Sequence, residues 1–137
     1  MSFLEIAAKQ IEADEGRRNK PYKDSLGILT IGVGRNLEDR GLRDDEIDLM
    51  LRNDIAEAAN TAKVIFPTFD RLTEVRKSVL VNMCFQLGET RLRGFRDFRA
   101  AVEAQAWPQA AAAMLDSKWA TQTPKRAARL AEQMRQG

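Results

Sequence analysis

The sequence contains no histidine and only one cysteine, Cys84, among its 137 residues. The absence of histidine excludes a Ser-His-Asp triad, a histidine-ligated zinc site and acid–base catalysis by imidazole. A single cysteine excludes an internal disulfide, and a free thiol is consistent with a cytoplasmic location. If the chain is an enzyme, we therefore expect carboxylates to transfer its protons.

Long apolar segments are also missing. No run approaches the roughly eighteen consecutive apolar residues of a membrane-spanning helix, so we expect no stable membrane insertion. Glu5 lies where a cleaved export signal would need basic residues and an unbroken apolar stretch, so we expect no such signal. A hydrophobic content of 44% and a charged content of 31% are typical of one globular domain, expected to span residues 1–137.

The formal net charge of +2 is unevenly distributed along the chain. Residues 1–70 have a net charge of −4, whereas residues 71–137 have a net charge of +6. A basic half favours a polyanionic partner. The charge alone leaves nucleic acid, an anionic glycan and an acidic lipid surface open.

The N-terminal region carries the signals of a helix followed by a small sheet. Ser2 and Glu5 have the spacing of a capping box, so a helix is expected over about residues 3–14, before Gly16. Strand-forming residues and glycines then predict an antiparallel hairpin over about residues 21–38.

Turn residues locate the bend of this hairpin at about residues 24–27. Gly32 and Gly34 are expected to mark a β-bulge or a close approach of the backbone to another group.

The remainder of the chain has helical periodicity. An apolar stripe with an acidic first turn predicts a long helix over about residues 44–65, ended by Pro67. Shorter helices are expected after it, beginning at about Thr73, Arg96, Trp107 and Pro124, the last with Thr123 as its cap. One hairpin and about eight helices make the expected fold class α+β, mostly α.

Two carboxylates at element boundaries are candidates for chemistry. Glu15 ends the first helix, Asp24 lies in the hairpin turn, and Thr30 lies on the returning strand. Partial burial of Glu15 would favour its protonated form, while Asp24 would stay ionised, as acid-assisted glycosidic cleavage requires. The alternatives are a solvated surface glutamate and an aspartate that only stabilises its turn.

Several motifs follow one another along the chain: DEG at 14–16, YKD at 22–24, TIGVG at 30–34, NMCFQLGET at 82–90, GF at 94–95, Trp119 and QTPKRA at 122–127. In this order and spacing they resemble the phage-type lysozyme family. The resemblance extends from about residue 3 to residue 130.

The resemblance implies muramidase activity on the β-1,4 bond between N-acetylmuramic acid and N-acetylglucosamine of bacterial peptidoglycan. Glu15 would be the general acid, and Asp24 and Thr30 would position the attacking water. The family is regarded as inverting, which requires carboxylates roughly 6.5–9.5 Å apart. No metal or organic cofactor is implied.

The resemblance also implies which residues contact the substrate. Phe85 and Gln86 match positions that contact sugar in the family, although packing of Phe85 in the core is an open alternative. Asn36, Phe98 and Ala113 are also expected to contact substrate, since they fall at positions that line the cleft in the family, where the family has other residue types.

Two supporting ion pairs are expected from the same comparison of positions. Arg35 should pair with Asp54 on the long helix, in a pair that is insensitive to pH near neutrality. Arg126 should approach Asp14 or Glu15.

The implied fold is lysozyme-like, with two lobes in one domain. A small β-hairpin lobe would cover about residues 14–50, a long interlobe helix about 44–65, and a helical C-terminal lobe about 68–137 together with the first helix at 3–14.

The implied role is that of a phage endolysin. It would act as a monomer on peptidoglycan, not on nucleic acid, and would accumulate in the host bacterial cytoplasm until a holin opened the way to the wall. A lytic transglycosylase on the same fold and a non-catalytic module that binds cell wall or polyanions are the alternatives.

Overall fold

The computed structural model describes residues 1–137 as a mostly helical chain with one small antiparallel sheet. This confirms the α+β, mostly α fold class. The elements in chain order are α1 (Phe3–Glu15), β1 (Arg18–Lys23), β2 (Leu29–Gly32), β3 (Arg35–Asn36), α2 (Asp44–Ile65), a short 3₁₀ helix (Phe69–Arg71), α3 (Glu74–Leu87), α4 (Glu89–Arg93), α5 (Arg96–Glu103), α6 (Trp107–Leu115), α7 (Lys118–Gln122) and α8 (Pro124–Gln136).

The chain divides into two compact units, an N-terminal unit of residues 1–49 and a C-terminal unit of residues 50–137. α1 and the sheet belong to the first unit, and α3 to α8 belong to the second. The single-domain organisation, and the expected grouping of the first helix with the helical lobe, stay predictions. None of the helices combines the length and apolar character needed to cross a membrane.

The predicted capping box starts α1. The Ser2 hydroxyl accepts a hydrogen bond from the Glu5 amide at 3.2 Å, and the Ser2 amide donates to the Glu5 carboxylate at 2.9 Å. These two bonds satisfy backbone donors that a helix start leaves unpaired. Gly16 ends the helix with a φ of +79°, a conformation that glycine adopts without a steric penalty.

The sheet has the order β1-β2-β3 and turns where the sequence predicts. The Gly27 amide donates to the Asp24 carbonyl at 2.9 Å, which closes the turn between β1 and β2. Tyr22 lies opposite Thr30 on one side, and Asn36 lies opposite Thr30 on the other. Residues directly opposite in antiparallel strands share a face, so these three side chains form a row across the sheet.

The third strand and the position of the β-bulge were not predicted from the sequence. β3 is only two residues long, which is too short for a period-two pattern to be visible. The register shift lies within β1, between Arg18 and Tyr22, and not at Gly32 or Gly34.

The core of the C-terminal unit is built around aromatic side chains. Phe98 makes edge-on contacts with Phe66 and Phe95, and Phe95 makes a third such contact with Trp119. Phe66, Phe98 and Trp119 are almost fully buried, and Cys84 is a buried free thiol in the same core. Edge-on aromatic pairs add to the stabilisation that burial of their surface provides.

Threonines precede two of the predicted helices, but only one of them caps its helix. Thr73 accepts a hydrogen bond from the Arg76 amide at 3.1 Å, as expected for the cap of α3. Thr123 precedes Pro124 as predicted, but its hydroxyl donates backwards to the Trp119 carbonyl at 3.0 Å. Thr123 does occupy the N-cap position of α8, but its side chain is turned towards α7 and accepts no hydrogen bond from the first turn of α8, so the predicted side-chain cap is wrong.

Arg76 joins α3 to two other helices. Its guanidinium lies 3.8 Å from the centre of the Trp107 ring and donates to the carbonyls of Met134 and Arg135 at 2.8 and 3.1 Å. We expect Arg76→Ala to lower the free energy of unfolding by about 1–3 kcal/mol, measured by urea denaturation. Arg76→Lys should recover part of this loss, and equal stability of the alanine variant and the parent would contradict the prediction.

Candidate active site

Glu15 is the last residue of α1, and its carboxylate lies against the backbone of Gly34. A Cβ atom at Gly34 would lie 3.0 Å from Glu15 Oε2 and 3.1 Å from Glu15 Cδ. Gly34 also has a φ of +68°, a backbone conformation that residues other than glycine rarely adopt. The close backbone approach predicted for the glycines is thus confirmed at Gly34, and the group that approaches is the candidate acid.

The expected partial burial of Glu15 is wrong, because its side chain is exposed in the structure. No residue of α1 is buried, so the apolar face of this helix does not carry its last residue into a core.

Asp24 follows β1 and uses one carboxylate oxygen to hold the hairpin turn. Its Oδ1 accepts hydrogen bonds from the amides of Leu26 and Ile28 at 2.8 and 2.9 Å. This is the turn-stabilising geometry named above as the alternative role. It leaves Oδ2 without a protein partner, so the same side chain retains an oxygen that can accept a proton.

Thr30 is the one buried polar residue, with 4% of its surface exposed. Its hydroxyl donates to the Ile28 carbonyl at 2.8 Å, so its proton is already used and its oxygen can only accept a further hydrogen bond. Ile28 also donates its amide to Asp24. The backbone of one residue therefore connects Asp24 and Thr30.

All three predicted catalytic residues thus lie in the N-terminal unit, where each is held by a contact with α1 or the sheet region. Asp24 and Thr30 are connected through Ile28, and Glu15 rests on Gly34, which lies between the strand that carries Thr30 and β3. Asn36 is the cross-strand neighbour of Thr30. The Asn36 side chain donates to the Asp39 carboxylate at 3.2 Å and accepts from the Asp39 backbone amide at 3.0 Å, so it is close to the site but already has a partner.

Arg35 does not have the partner that the sequence suggests. Its two terminal nitrogens each donate to one oxygen of Glu46 at 2.8 Å, and one of them also donates to the Gly41 carbonyl. The expected Arg35–Asp54 pair is therefore corrected to Arg35–Glu46. Glu46 lies in the first turn of α2, directly after the loop that follows β3, whereas Asp54 lies eight residues, or about 12 Å, further along the helix.

This ion pair lowers the pKa of Glu46 from 4.5 to about 2, chiefly through the hydrogen bonds from Arg35. A carboxylate whose pKa is lower in the folded state than in the unfolded state stabilises the fold at pH values above its unfolded-state pKa. This stabilisation is lost as the pH falls through the folded-state pKa. We expect Glu46→Gln to be less stable than the parent at pH 7 and to lose less stability between about pH 5 and pH 2. Urea midpoints across this range would test the prediction.

Asp48→Asn is the matched control, since it removes one exposed acid from the same helix without removing an ion pair. If Glu46→Gln and the parent lost the same amount of stability as the pH fell, protonation of Glu46 would not be the cause of the loss.

The predicted sugar contacts Phe85 and Gln86 lie near the end of α3 in the C-terminal unit. Phe85 is 47% exposed and borders a surface cavity of about 400 Å³ that Asp54 also lines, so its alternative role as a core residue is wrong. The side-chain Oε1 of Gln86 accepts a hydrogen bond from the Trp119 indole at 2.8 Å. This bond fixes the side chain and leaves its amide donors free.

Phe98 and Ala113 meet at a second surface cavity, of about 280 Å³. Phe98 is only 1% exposed, however, because its ring belongs to the aromatic core. The expected substrate contact of the Phe98 side chain is therefore wrong, while Ala113 is half-buried and borders the cavity.

Arg126 has a partner within its own unit. Its Nε and Nη2 donate to the side-chain Oδ1 of Asn82 at 2.9 and 2.6 Å. The expected approach of Arg126 to Asp14 or Glu15 joins residues of the two units and stays a prediction. Asp14 is exposed at the end of α1.

Sequence reasoning missed Glu46, Asn82 and Trp119 as partners of site candidates. The Gln86–Trp119 and Arg126–Asn82 contacts join residues 33 and 44 positions apart, beyond the reach of any local pattern. For Glu46, the capping geometry offered a signal, since its carboxylate also accepts from the Arg43 amide at the start of α2.

Comparison with known proteins identifies the family. Residues 12–136 match the phage lysozyme family profile, a range that includes all three candidate catalytic residues, and the chain belongs to this family. It is 26% and 25% identical to the probable T4-type lysozymes 2 and 1 of Dictyostelium discoideum, over 88% of this chain and 88% of each relative. It is also 27% identical to the pre-baseplate central spike protein Gp5 of Enterobacteria phage T4, over 90% of this chain but 26% of that protein.

Proposed function

We propose that this chain is a muramidase that hydrolyses the β-1,4 bond between N-acetylmuramic acid and N-acetylglucosamine in bacterial peptidoglycan. The observation that carries the proposal is the arrangement of Glu15, Asp24 and Thr30 in the N-terminal unit of a phage lysozyme family member. The lysozyme names of the two Dictyostelium relatives agree with it.

In this proposal, the exposed Glu15 donates a proton to the glycosidic oxygen as the bond to the leaving sugar breaks. A general acid contributes roughly 10²–10⁴-fold to such a reaction. The contact with Gly34 restricts where the Glu15 carboxylate can lie, which favours one orientation towards the substrate.

Asp24 and Thr30 would act on the attacking water. The free Oδ2 of Asp24 accepts one proton of the water, and the Thr30 oxygen accepts a hydrogen bond from the other. Because the Thr30 proton is committed to Ile28, this hydroxyl cannot compete as a donor and orients the water as an acceptor only. Attack from the face opposite to Glu15 would invert the configuration at the anomeric carbon.

We further propose the biological role of a phage endolysin that acts as a monomer on the wall. The chain would remain in the host cytoplasm until a holin gives it access to peptidoglycan. The net charge of +6 in residues 71–137 supports an anionic polymer as the partner.

Product analysis tests the proposed reaction. Purified cell walls are digested with the protein, and the soluble fragments are analysed by mass spectrometry and by NMR of the new reducing ends. Hydrolysis with inversion predicts fragments that have gained one water and that begin as the α-anomer. Anhydromuramyl ends would identify a lytic transglycosylase, and binding of walls without cleavage would identify a non-catalytic module.

A further inference from the structure

The chain between Glu15 and Asp24 is entirely free of acidic residues and rich in cations. Three of these cations lie on β1 and have no carboxylate partner; they are Arg18, Lys20 and Lys23, and we call them the β1 cations. The charge of the surrounding unit makes them unusual, because residues 1–49 contain eight Lys and Arg against eleven Asp and Glu.

The β1 cations are placed on an accessible edge. β1 is an outer strand of the sheet, and all three side chains are exposed. Arg17, the cation just before the strand, is instead neutralised by Glu12 at 2.7 Å. The positive charge available to a ligand in this segment therefore belongs to β1 itself.

Arg18 is held on the same face of the sheet as Thr30. Tyr22 lies opposite Thr30 and so shares its face, and the Arg18 guanidinium lies 4.6 Å from the centre of the Tyr22 ring. The ring supports one face of the guanidinium and leaves its N–H groups free at the rim, where a planar carboxylate can bind.

Charged side chains on an outer strand also prevent sheets from joining edge to edge, and Pro21 within β1 serves the same purpose. That purpose does not require a cation fixed over an aromatic ring on the face that carries the candidate site. The stacking of Arg18 on Tyr22 favours a ligand-binding role.

We propose that the β1 cations bind the carboxylates of the peptides that are attached to the muramic acid residues of the glycan strand. This inference rests on the proposed function, and it adds the part of the substrate that the strand recognises. The lactyl carboxyl group of each muramic acid is joined to its peptide by a neutral amide bond, so the negative charge of the strand lies on the peptide carboxylates. Charge complementarity therefore selects strands with free peptide carboxylates over strands in which these carboxylates are neutralised. Phosphate-rich wall polymers have the same sign of charge and are distinguished by the test.

The test compares two triple variants in a Glu15→Gln background, where bound glycan should not be cleaved. The first carries Arg18→Gln, Lys20→Gln and Lys23→Gln. The matched control carries Lys118→Gln, Lys125→Gln and Arg129→Gln, which removes the same charge from exposed positions of the C-terminal unit without breaking an ion pair. Dissociation constants are measured for soluble peptide-bearing glycan strands free of phosphate polymers, and for the same strands after their peptide carboxylates have been converted to neutral methyl amides.

We expect the β1 triple variant to bind peptide-bearing strands about tenfold more weakly, and the control less than twofold more weakly. On the strands with amidated peptide carboxylates the two variants should bind equally. In the catalytically intact protein, the β1 substitutions should raise KM for peptide-bearing glycan and leave kcat unchanged.

Equal weakening by both triple variants would overturn the proposal, because net charge alone would then explain it. A β1 effect that persists on the strands with amidated peptide carboxylates, or that is seen only with walls carrying phosphate polymers, would overturn it too. Failure of the proposed function would be recognised separately, as the absence of glycan cleavage by the unsubstituted protein.

Discussion

Glu15→Gln is expected to reduce the rate of wall lysis by at least about a hundredfold, the lower end of what a general acid contributes. The glutamine side chain has the same shape but cannot protonate the leaving oxygen. Because Glu15 is exposed and ends its helix, the substitution should leave the fold and the thermal stability unchanged. Turbidity of purified walls, circular dichroism and wall binding would be measured on the same preparation.

Glu12→Gln provides the matched control for this experiment. It removes one negative charge from the same helix, three residues earlier, and breaks only an exposed ion pair with Arg17. The control should lyse walls at nearly the parent rate. A folded Glu15→Gln variant that binds walls and lyses them as fast as the parent would refute the role of Glu15 as the acid.

Gly34→Ala is expected to reduce kcat roughly threefold to tenfold through the position of Glu15. The new Cβ would lie 3.0 Å from Glu15 Oε2, so the carboxylate must shift by a few tenths of an ångström, and the rate depends steeply on the position of the proton donor. The positive φ of +68° should also lower the free energy of unfolding by about 1–2 kcal/mol.

Gly32→Ala separates these two effects. Gly32 has nearly the same φ, +69°, but a Cβ there would have no neighbour within 4 Å. Both alanine variants should therefore lose similar stability in urea denaturation, while only Gly34→Ala should lose activity well below its unfolding temperature. Equal activity of the two variants would show that the contact between Gly34 and Glu15 does not control catalysis.

Short-range sequence signals predicted most of the fold. The bounds of α2 follow from its apolar stripe, its acidic first turn and Pro67, and the structure has the helix at Asp44–Ile65. The capping box of α1 and the turn after β1 were equally visible, because each is completed within four residues. The two-residue strand β3 was missed, since its existence depends on pairing with β2 and not on its own pattern.

The candidate site was predictable in its residue types but not in its contacts. The family motifs pointed to Glu15, Asp24 and Thr30, and the spacing of Gly32 and Gly34 suggested a close approach. Nothing in the sequence indicated that Gly34 meets Glu15, or that Phe98 is withdrawn into the core. Both outcomes depend on how separate elements pack.

The sequence by itself determined the bounds of α1 and α2, where the hairpin turns, and that carboxylates are the expected proton donors and acceptors. These properties depend on caps, periodicity and composition, which act within a few residues or need no geometry at all. Only the tertiary structure decided three contacts. Arg35 binds Glu46, the Gln86 side chain accepts a hydrogen bond from the Trp119 indole, and Arg18 stacks on the Tyr22 ring. A charged or polar side chain has many chemically suitable partners along a chain, and the one that it binds is the one that folding brings within about 3 Å.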